Sequence, residues 1–481
     1  MSEKESHVSY RFEGPVSFSS MTAQAFLRFG FHHAKAEQAD WIFQVTGDAG
    51  QWEASLFRRE GSDRRSRICR SRREAGHFLM DQLAEISERT PGSWGYLLGM
   101  RPSKALYPFL KKENWRELAE QFLAEENVSE DVRKLLLQAA ACEKRLDENA
   151  RFPLGETVSL YVHVPFCPSH CAYCSFPTEI APSAERLRLY ADAVCEDIRN
   201  AGRLIRRKNF FVESLYFGGG TPTILPEEQM ERILEAVREN IPLNGEPEWT
   251  VEAGRPDTIT GRMLTLLRKY GVNRISVNPQ TMQDRILEKI SRTHHAEDII
   301  QAFEETKRHG FLSVNMDFIC GLPTQTAGDM EENLRVICQL RPENVTIHTL
   351  AIKRGSPFLG REKELCLPEE KQVEAMLQMT QRVLAETGYH PYYLYRQKYM
   401  TDDFANVGYA LRGFDSVYNI RMISEHQHVI GVGAGAVSKA LRPGGFQLKK
   451  LYMPRQAELY RRNLQYLCKE RDALWDVSDN Q

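Results

Sequence analysis

The sequence has no long apolar run, little net charge and no low-complexity tract. No stretch approaches the roughly 18–20 apolar residues of a membrane-spanning helix, so an integral membrane protein is not expected. The 63 Lys and Arg residues nearly balance 65 Asp and Glu residues, which argues against a protein that mainly grips nucleic-acid phosphates. A largely disordered chain is excluded because 42% of the residues are hydrophobic and only 27% are charged.

The cysteines are unevenly distributed along the 481 residues. The first residues, Met1–His7, include acids, and no apolar segment follows them, so we predict a cytosolic protein without a secretion signal. Because that compartment keeps thiols reduced, the ten cysteines do not indicate a disulfide scaffold. Most are scattered singly, as ordinary core residues are, but Cys167, Cys171 and Cys174 are crowded together.

Six short apolar segments alternate with amphipathic helical segments after residue 157. The predicted strands are Ser159–Val164, Ser214–Phe217, Trp249–Glu252, Arg274–Val277, Ser313–Phe318 and Asn344–Leu350. Strand and helix in alternation indicate repeated βα units around a parallel sheet. We therefore predict an α/β protein with a partial (βα)6, TIM-like barrel at 152–366, an N-terminal α+β domain at 1–151 and a mostly helical C-terminal region at 367–481.

The N-terminal region combines strand and helix patterns with a basic run. Trp41–Val45 and Gln51–Phe57 read as paired strands, and Glu74–Glu88 and Ser129–Leu146 have helical spacing. The arginines between Arg58 and Arg73 are interrupted by acids and lack interleaved aromatic residues, so we interpret them as a solvated hairpin face and expect no nucleic-acid partner.

The three close cysteines follow the first barrel strand with the spacing C-x3-C-x2-C. Three thiolates hold three irons of a 4Fe–4S cluster and leave the fourth iron open to another ligand. A structural zinc site, which needs four ligands, is the alternative, and His163 or His170 would have to supply the fourth. The position at a strand exit ahead of βα units favours the iron–sulfur cluster.

Other polar or glycine residues fall at the ends of the later strands. Backbone without Cβ atoms at Gly218–Gly220 can approach a ligand closely. Taken singly, each such residue could equally well have a structural role in a turn, as a helix cap or as a hydrogen-bonding group at a strand end. The candidate cofactor-binding residues are Gly219, Gly220, Thr221, Glu252, Gln280, Arg292 and Asp317. Their shared position at strand ends favours one common site.

The cysteine motif and these strand ends resemble the radical S-adenosylmethionine superfamily. The resemblance implies that S-adenosylmethionine binds the open iron, and that one electron cleaves it to methionine and a 5′-deoxyadenosyl radical. It further implies that Gly219, Gly220, Thr221 and Glu252 bind the methionine end. Gln280 and Asp317 would hold the ribose hydroxyls, and Arg292 would lie near the cofactor carboxylate.

Within that superfamily the chain resembles the oxygen-independent coproporphyrinogen III oxidases, in a longer branch with its own N-terminal domain. Residues 94–104, 345–354, 392–400 and 406–409 carry this likeness. It implies oxidative decarboxylation of coproporphyrinogen III to protoporphyrinogen IX in heme biosynthesis, with an unidentified electron donor and acceptor. Tyr161 is implied near the sulfonium centre. Arg354, Arg396 and Lys398 are predicted to bind the substrate carboxylates because four carboxylates need several cations.

One position departs from the oxidase pattern, because Phe176 stands where the best-understood members carry a further cysteine. The Cys174–Phe176 segment resembles heme-carrier relatives instead. Those relatives use a His-Asn-x-x-Tyr segment for heme, whereas the corresponding residues 418–422 here lack both the His and the Tyr of that motif. His426 and His428 lie nearby as other candidate ligands. A heme carrier and a radical enzyme that opens the heme ring therefore stay as alternatives.

Overall fold

The computed structural model describes residues 8–34, 39–48, 51–60, 62–176, 178–180, 182–243, 245–397, 404–442 and 447–476. Two compact units divide the chain, one of residues up to Leu137 and one beginning at Gln138. The predicted boundaries at 151 and 366 stay predictions. In the described residues, no helix is long and apolar enough to cross a membrane.

The first unit is a mixed sheet covered by helices. Its strands are β1 (Ser9–Glu13), β2 (His32–His33), β3 (Trp41–Asp48), β4 (Gln51–Arg58) and β5 (Arg64–Cys69). Its helices are α1 (Val16–Arg28), α2 (Arg72–Ser87), α3 (Tyr107–Leu110), α4 (Trp115–Glu125) and α5 (Glu130–Glu148), of which α5 continues into the second unit. The strand order is β2-β1-β3-β4-β5, and aromatic residues such as Phe26 and Phe43 fill the core.

The second unit contains the predicted run of βα units. Its first eight strands are β6 (Thr157–Val164), β7 (Phe166–Cys167), β8 (Glu179–Ile180), β9 (Phe211–Gly219), β10 (Glu248–Glu252), β11 (Arg274–Ser276), β12 (Ser313–Cys320) and β13 (Asn344–Thr349). Between them lie α6 (Ala184–Lys208), α7 (Glu227–Asn240), α8 (Gly261–Lys269), α9 (Asp284–Lys289), α10 (Ala296–Arg308) and α11 (Ala327–Leu340). Strands β6, β9, β10, β11, β12 and β13 pair in parallel in that order, so the partial (βα)6 barrel is confirmed.

The residues after 366 add strands to both edges of this sheet. They form α12 (Glu370–Glu386), β14 (Tyr389–Tyr395), β15 (Asn406–Leu411), α13 (Val417–Ser424), β16 (His428–Val432), β17 (Val437–Leu441), β18 (Leu448–Tyr452), α14 (Ala457–Arg462) and α15 (Leu464–Ala473). Strand β15 pairs with β13, and β16 pairs in parallel with β6. Both edges of the six-strand run are thereby covered. The last two helices, α14 and α15, are separated at Asn463.

A buried ion pair fixes the C-terminal helices to the barrel. The carboxylate of Asp197 on α6 accepts hydrogen bonds from Arg471 Nη1 at 2.6 Å and from the Tyr460 hydroxyl at 2.5 Å. The side chains of Asp197 and Arg471 have no exposed surface. The Gly433 N–H also donates to this carboxylate, and the next N–H, of Ala434, donates to the hydroxyl of Tyr190. The network therefore positions the chain just after β16.

We expect Asp197→Ala to lower the free energy of unfolding by about 3–5 kcal/mol, since it leaves a buried guanidinium without its carboxylate. Urea unfolding followed by far-UV circular dichroism measures the change. Asp472→Ala is the control, because it removes a partly exposed pair with Arg207, and exposed pairs contribute only ~0.2–1 kcal/mol. Equal destabilisation by the two variants would contradict the assignment of the buried network.

Candidate active site

Three unpaired thiols meet on the short loop that follows β6. Cys167 ends β7, and the N–H of Cys174 donates to the carbonyl of Cys171 at 3.0 Å in a tight turn. Within the described residues, all three thiols are free and partly exposed. Burial raises the pKa of Cys167, and it raises the pKa of Cys174 to about 11. A metal that binds Cys167 and Cys174 therefore has to displace their protons.

The thiol loop is held by hydrogen bonds from distant parts of the barrel. The Ala172 N–H donates to the Ile290 carbonyl at 3.0 Å, and the Ala172 carbonyl accepts from the Ser356 hydroxyl at 2.9 Å. The Thr221 hydroxyl donates to Cys167 Sγ at 3.6 Å. Segments beyond β9, β11 and β13 therefore fix the loop before any ligand binds.

The glycine turn after β9 packs directly against the thiol loop. Gly219 has a φ of +109°, and a Cβ atom there would lie 2.7 Å from the His163 ring. A Cβ atom on Gly220 would lie 3.0 Å from Cys167 Sγ and still closer to the Phe166 carbonyl oxygen. Only glycine fits this approach. The turn thus brings its backbone beside the thiols.

Glu252, at the end of β10, is partly buried in the barrel, and both of its carboxylate oxygens accept hydrogen bonds. The Tyr216 hydroxyl donates to Oε1 at 2.6 Å, and the Gly219 N–H donates to Oε2 at 3.2 Å. Burial, supported by repulsion from Asp317, raises the pKa of Glu252 to about 7 despite these two hydrogen bonds. This carboxyl group therefore changes charge near neutral pH.

Asp317, within β12, and Gln280, beyond the end of β11, lie close together. The Gln280 N–H donates to the Asp317 carbonyl at 2.8 Å, and Gln280 is buried in the left-handed region at a φ of +68°. Burial disfavours the Asp317 carboxylate, but His348 and a 2.7 Å hydrogen bond from Asn315 hold its pKa below the usual value. A strained, buried polar residue beside a stabilised anion is typical of a binding site.

Arg292 connects two strand ends to the thiol loop. Its Nη1 donates to the Asn278 carbonyl at 2.6 Å and to the Gly254 carbonyl at 3.2 Å. Its Nη2 donates to the Tyr173 hydroxyl, inside the loop, at 3.1 Å. The guanidinium is therefore fixed beside the thiols, where an anionic ligand group would meet it.

Tyr161 points from β6 into an aromatic cluster. Its hydroxyl lies 3.2 Å from Nδ1 of His163, and its ring lies 6.1 Å from the rings of both Tyr216 and Tyr418. Burial raises the pKa of Tyr161 and lowers the pKa of His163 to about 4. The pair is therefore neutral at ordinary pH, with one hydrogen bond shared between them.

The predicted substrate cations have different surroundings. Arg354 is exposed on the segment after β13, beside Ser356, which bonds the thiol loop. Arg396 follows β14 and is partly buried, and this burial lowers its pKa to about 10. Lys398 lies outside the described residues.

Several site residues were missed by the sequence analysis. Tyr216 and Tyr418 stack at 4.2 Å beside Tyr161, and alternation along β9 was the only signal for Tyr216. Arg255 was not singled out, and it donates to Ser169 in the thiol loop at 2.8 Å. His294 is buried nearby, and neither of its ring nitrogens has a hydrogen-bond partner in the described part of the chain.

Comparisons with known proteins agree with this arrangement. The family model described as "Radical SAM superfamily" matches residues 161–337. The chain is 34% identical over 380 residues to the oxygen-independent coproporphyrinogen-III oxidase-like protein HemZ of Bacillus subtilis, covering 79% of this chain and 76% of that protein. It is 31% identical to the heme chaperone HemW of Lactococcus lactis, covering 58% of this chain and 68% of that one.

A solved structure shares the fold. The coproporphyrinogen III oxidase HemN of Escherichia coli matches with a TM-score of 0.53 and 24% identity, covering 68% of this chain and 73% of that one. The six-strand barrel and its thiol loop define a radical S-adenosylmethionine protein. Within that superfamily, this chain belongs to the oxygen-independent coproporphyrinogen III oxidase family, in the longer branch with an extra N-terminal domain.

The cofactors of this class are a 4Fe–4S cluster and S-adenosylmethionine, and the residues present fit both. Three free thiols on one loop match a cluster with one open iron. Among the described residues, buried polar atoms without partners include Arg292 Nε, Asn278 Oδ1 and Ser276 Oγ at these strand ends. Buried polar groups ordinarily have partners, so these atoms fit a polar ligand that would satisfy them.

Proposed function

We propose that the protein catalyses the oxygen-independent oxidative decarboxylation of coproporphyrinogen III to protoporphyrinogen IX. The observation that carries this proposal is the juxtaposition of three free thiols, the Glu252 carboxyl group and Tyr161 at one end of the barrel. The similarity to HemZ over 79% of the chain supports the same reaction. A cytoplasmic location and a role in heme biosynthesis belong to this proposal.

The chain supplies ligands for both cofactors in this proposal. Cys167, Cys171 and Cys174 hold the cluster. Glu252 faces the amino group of S-adenosylmethionine, and Arg292 faces its carboxylate. The other proposed contacts are Gly219, Gly220 and Thr221 to the methionine end and Gln280 and Asp317 to the ribose. The cofactors together supply a carbon-centred radical that removes a hydrogen atom from an unreactive carbon.

The protein's own part in the reaction is to position the substrate and exclude water. Tyr161 and His163 present one neutral hydroxyl–imidazole pair beside the thiol loop. Each of the two propionate side chains that react loses a hydrogen atom, carbon dioxide and one further electron to become a vinyl group, so an external electron acceptor is required. We propose that Arg354, Arg396 and Lys398 bind the carboxylates of the tetrapyrrole, since guanidinium and ammonium groups pair with carboxylates.

Heme carriage is the second candidate, and the HemW similarity favours it. The segment that corresponds to the carrier's heme-binding motif argues against it. Tyr418 stacks on Tyr216 inside the barrel, and Arg421 is buried in ion pairs with Glu213 and Asp147.

The two histidines after that segment are engaged in structural contacts. Nδ1 of the buried His426 lies 3.1 Å from a carboxylate oxygen of Glu143. His428 Nε2 lies 3.1 Å from the Gly155 carbonyl oxygen, and its Nδ1 accepts from the Leu441 N–H at 2.9 Å. Both ring nitrogens of His428 are used, so a heme ligand from this histidine would have to break these contacts, which favours the enzyme over the carrier.

A product assay separates the two candidates. We expect the anaerobically reconstituted protein, given a reductant, an electron acceptor and S-adenosylmethionine, to convert coproporphyrinogen III to protoporphyrinogen IX. Stoichiometric heme binding, titrated in the same preparation by its absorption band, is expected to be absent. Tight heme binding without any vinyl product would support the carrier instead.

The affinity for S-adenosylmethionine should rise with pH through neutrality. The pKa of Glu252 is about 7, so its carboxyl group is mostly protonated at pH 6 and mostly ionised at pH 8. Only the ionised form attracts the cofactor's ammonium group, so the dissociation constant should fall about tenfold over this interval. Equilibrium dialysis measures it, and Glu252→Gln should bind weakly with a flat profile. A wild-type affinity independent of pH would remove Glu252 from the amino-group contact.

A further inference from the structure

Arg255 is a buried cation in direct contact with the thiol loop. It follows β10 and is only 3% exposed. Its Nη1 donates to the Ser169 hydroxyl at 2.8 Å and to Cys171 Sγ at 3.8 Å. Its Nη2 is buried and has no hydrogen-bond partner among the described residues. One nitrogen of this fixed guanidinium therefore already contacts the sulfur of Cys171.

The positive charge of Arg255 is only partly neutralised. Its ion-pair partner, Asp257, contacts Nε at 3.2 Å rather than Nη1, which contacts the thiol loop, and the Asp257 side chain is 38% exposed. The neighbouring His294 stays neutral, since burial, with Arg292 and Arg255 nearby, lowers its pKa to about 4. Water screens Asp257 more than it screens Arg255, so a net positive field reaches Cys171.

Such a field acts on the charge that an iron–sulfur cluster gains on reduction. The potential of a cluster depends on its net charge, on its burial and on hydrogen bonds to its sulfur atoms. A hydrogen bond from a charged N–H group becomes stronger as its acceptor becomes more negative. A guanidinium at Cys171 therefore stabilises the reduced state more than the oxidised state.

We propose that Arg255 is a positioning residue that raises the reduction potential of the cluster through a charged hydrogen bond to the Cys171 thiolate. The step concerned is the uptake of one electron by the cluster from an external donor, with no covalent bond formed or broken. The proposal rests on the proposed function only through the assignment of Cys171 as a cluster ligand.

The test is a redox titration of the reconstituted holoprotein, followed by the electron paramagnetic resonance signal of the reduced cluster, without tetrapyrrole. We expect Arg255→Gln to lower the equilibrium constant for reduction of the cluster about tenfold. For one electron, this corresponds to a reduction potential about 59 mV more negative. Asp257→Asn should shift the potential in the opposite direction, because it removes the partial counter-charge. Arg335→Gln on the exposed face of α11 is the control for a change in overall charge, and its potential should equal that of the wild type.

Unchanged potentials in Arg255→Gln and Asp257→Asn, with full iron content, would overturn the proposal. If Arg255→Gln fails to assemble a cluster, Arg255→Lys and Asp257→Asn decide it. The reduction potential of Arg255→Lys should lie between that of the wild type and the value expected for Arg255→Gln. A wild-type potential in both Arg255→Lys and Asp257→Asn would also overturn the proposal. Because no tetrapyrrole is present, the result is independent of whether the wild type decarboxylates coproporphyrinogen III.

Discussion

Cys171→Ala should yield a folded, colourless protein without a cluster and without any product. With two thiolates left, the cluster loses one of its three protein ligands, and no other cysteine on the loop replaces it. The fold should survive because Cys171 is partly exposed and its neighbour Ala172 keeps its backbone bond to Ile290. Iron and sulfide analysis after anaerobic reconstitution, with circular dichroism for folding, measures both outcomes.

The matched control is Cys366→Ala, which removes an exposed thiol outside the loop. We expect that variant to keep wild-type iron content and activity. Full iron content in Cys171→Ala would count against the proposed ligand set. Loss of iron in both variants would contradict the distinction between cysteines that bind the cluster and cysteines that do not.

Tyr161→Phe should assemble the cluster and bind S-adenosylmethionine but form product about 100-fold more slowly, the loss expected when a group that positions the substrate is removed. The change keeps the ring, and with it the stack on Tyr216 and Tyr418, but removes the hydroxyl that lies 3.2 Å from His163. Measuring protoporphyrinogen IX per cluster, beside 5′-deoxyadenosine, separates lost turnover from lost radical chemistry.

A control removes a tyrosine hydroxyl elsewhere in the same unit. Tyr270→Phe, at the C-terminal end of α8, loses hydrogen bonds to Glu231 and Glu235 and should leave turnover unchanged. Undiminished product formation by Tyr161→Phe would remove Tyr161 from the mechanism.

The six barrel strands were predictable because each is covered on both faces. A strand such as β6 is buried along almost its whole length, so it reads as an apolar run in the sequence. The strands after residue 366 were not predicted, since β15 and β16 gain their partners from β13 and β6, far away in sequence. Their sequences are rich in aromatic and glycine residues, and local sequence patterns do not show how these residues pack.

In the site, too, residues close together in the sequence were predictable, whereas contacts between distant residues were not. The thiols of Cys167, Cys171 and Cys174 lie within eight residues, so their spacing alone indicates a metal site. The contact of Arg255 with Cys171 joins residues 84 positions apart. Tyr418 reaches the barrel only because α13 packs beside β9. Such contacts follow from the order of strands in the sheet, which a single sequence specifies only indirectly.

The most direct test of the account follows a hydrogen atom from the substrate. Coproporphyrinogen III carrying deuterium at the β-carbons of its propionates is incubated anaerobically with the reduced holoprotein, S-adenosylmethionine and an electron acceptor. Mass spectrometry should then find deuterium in 5′-deoxyadenosine, with carbon dioxide and protoporphyrinogen IX accumulating in step. Unlabelled 5′-deoxyadenosine, with no carbon dioxide released, would contradict the proposed reaction.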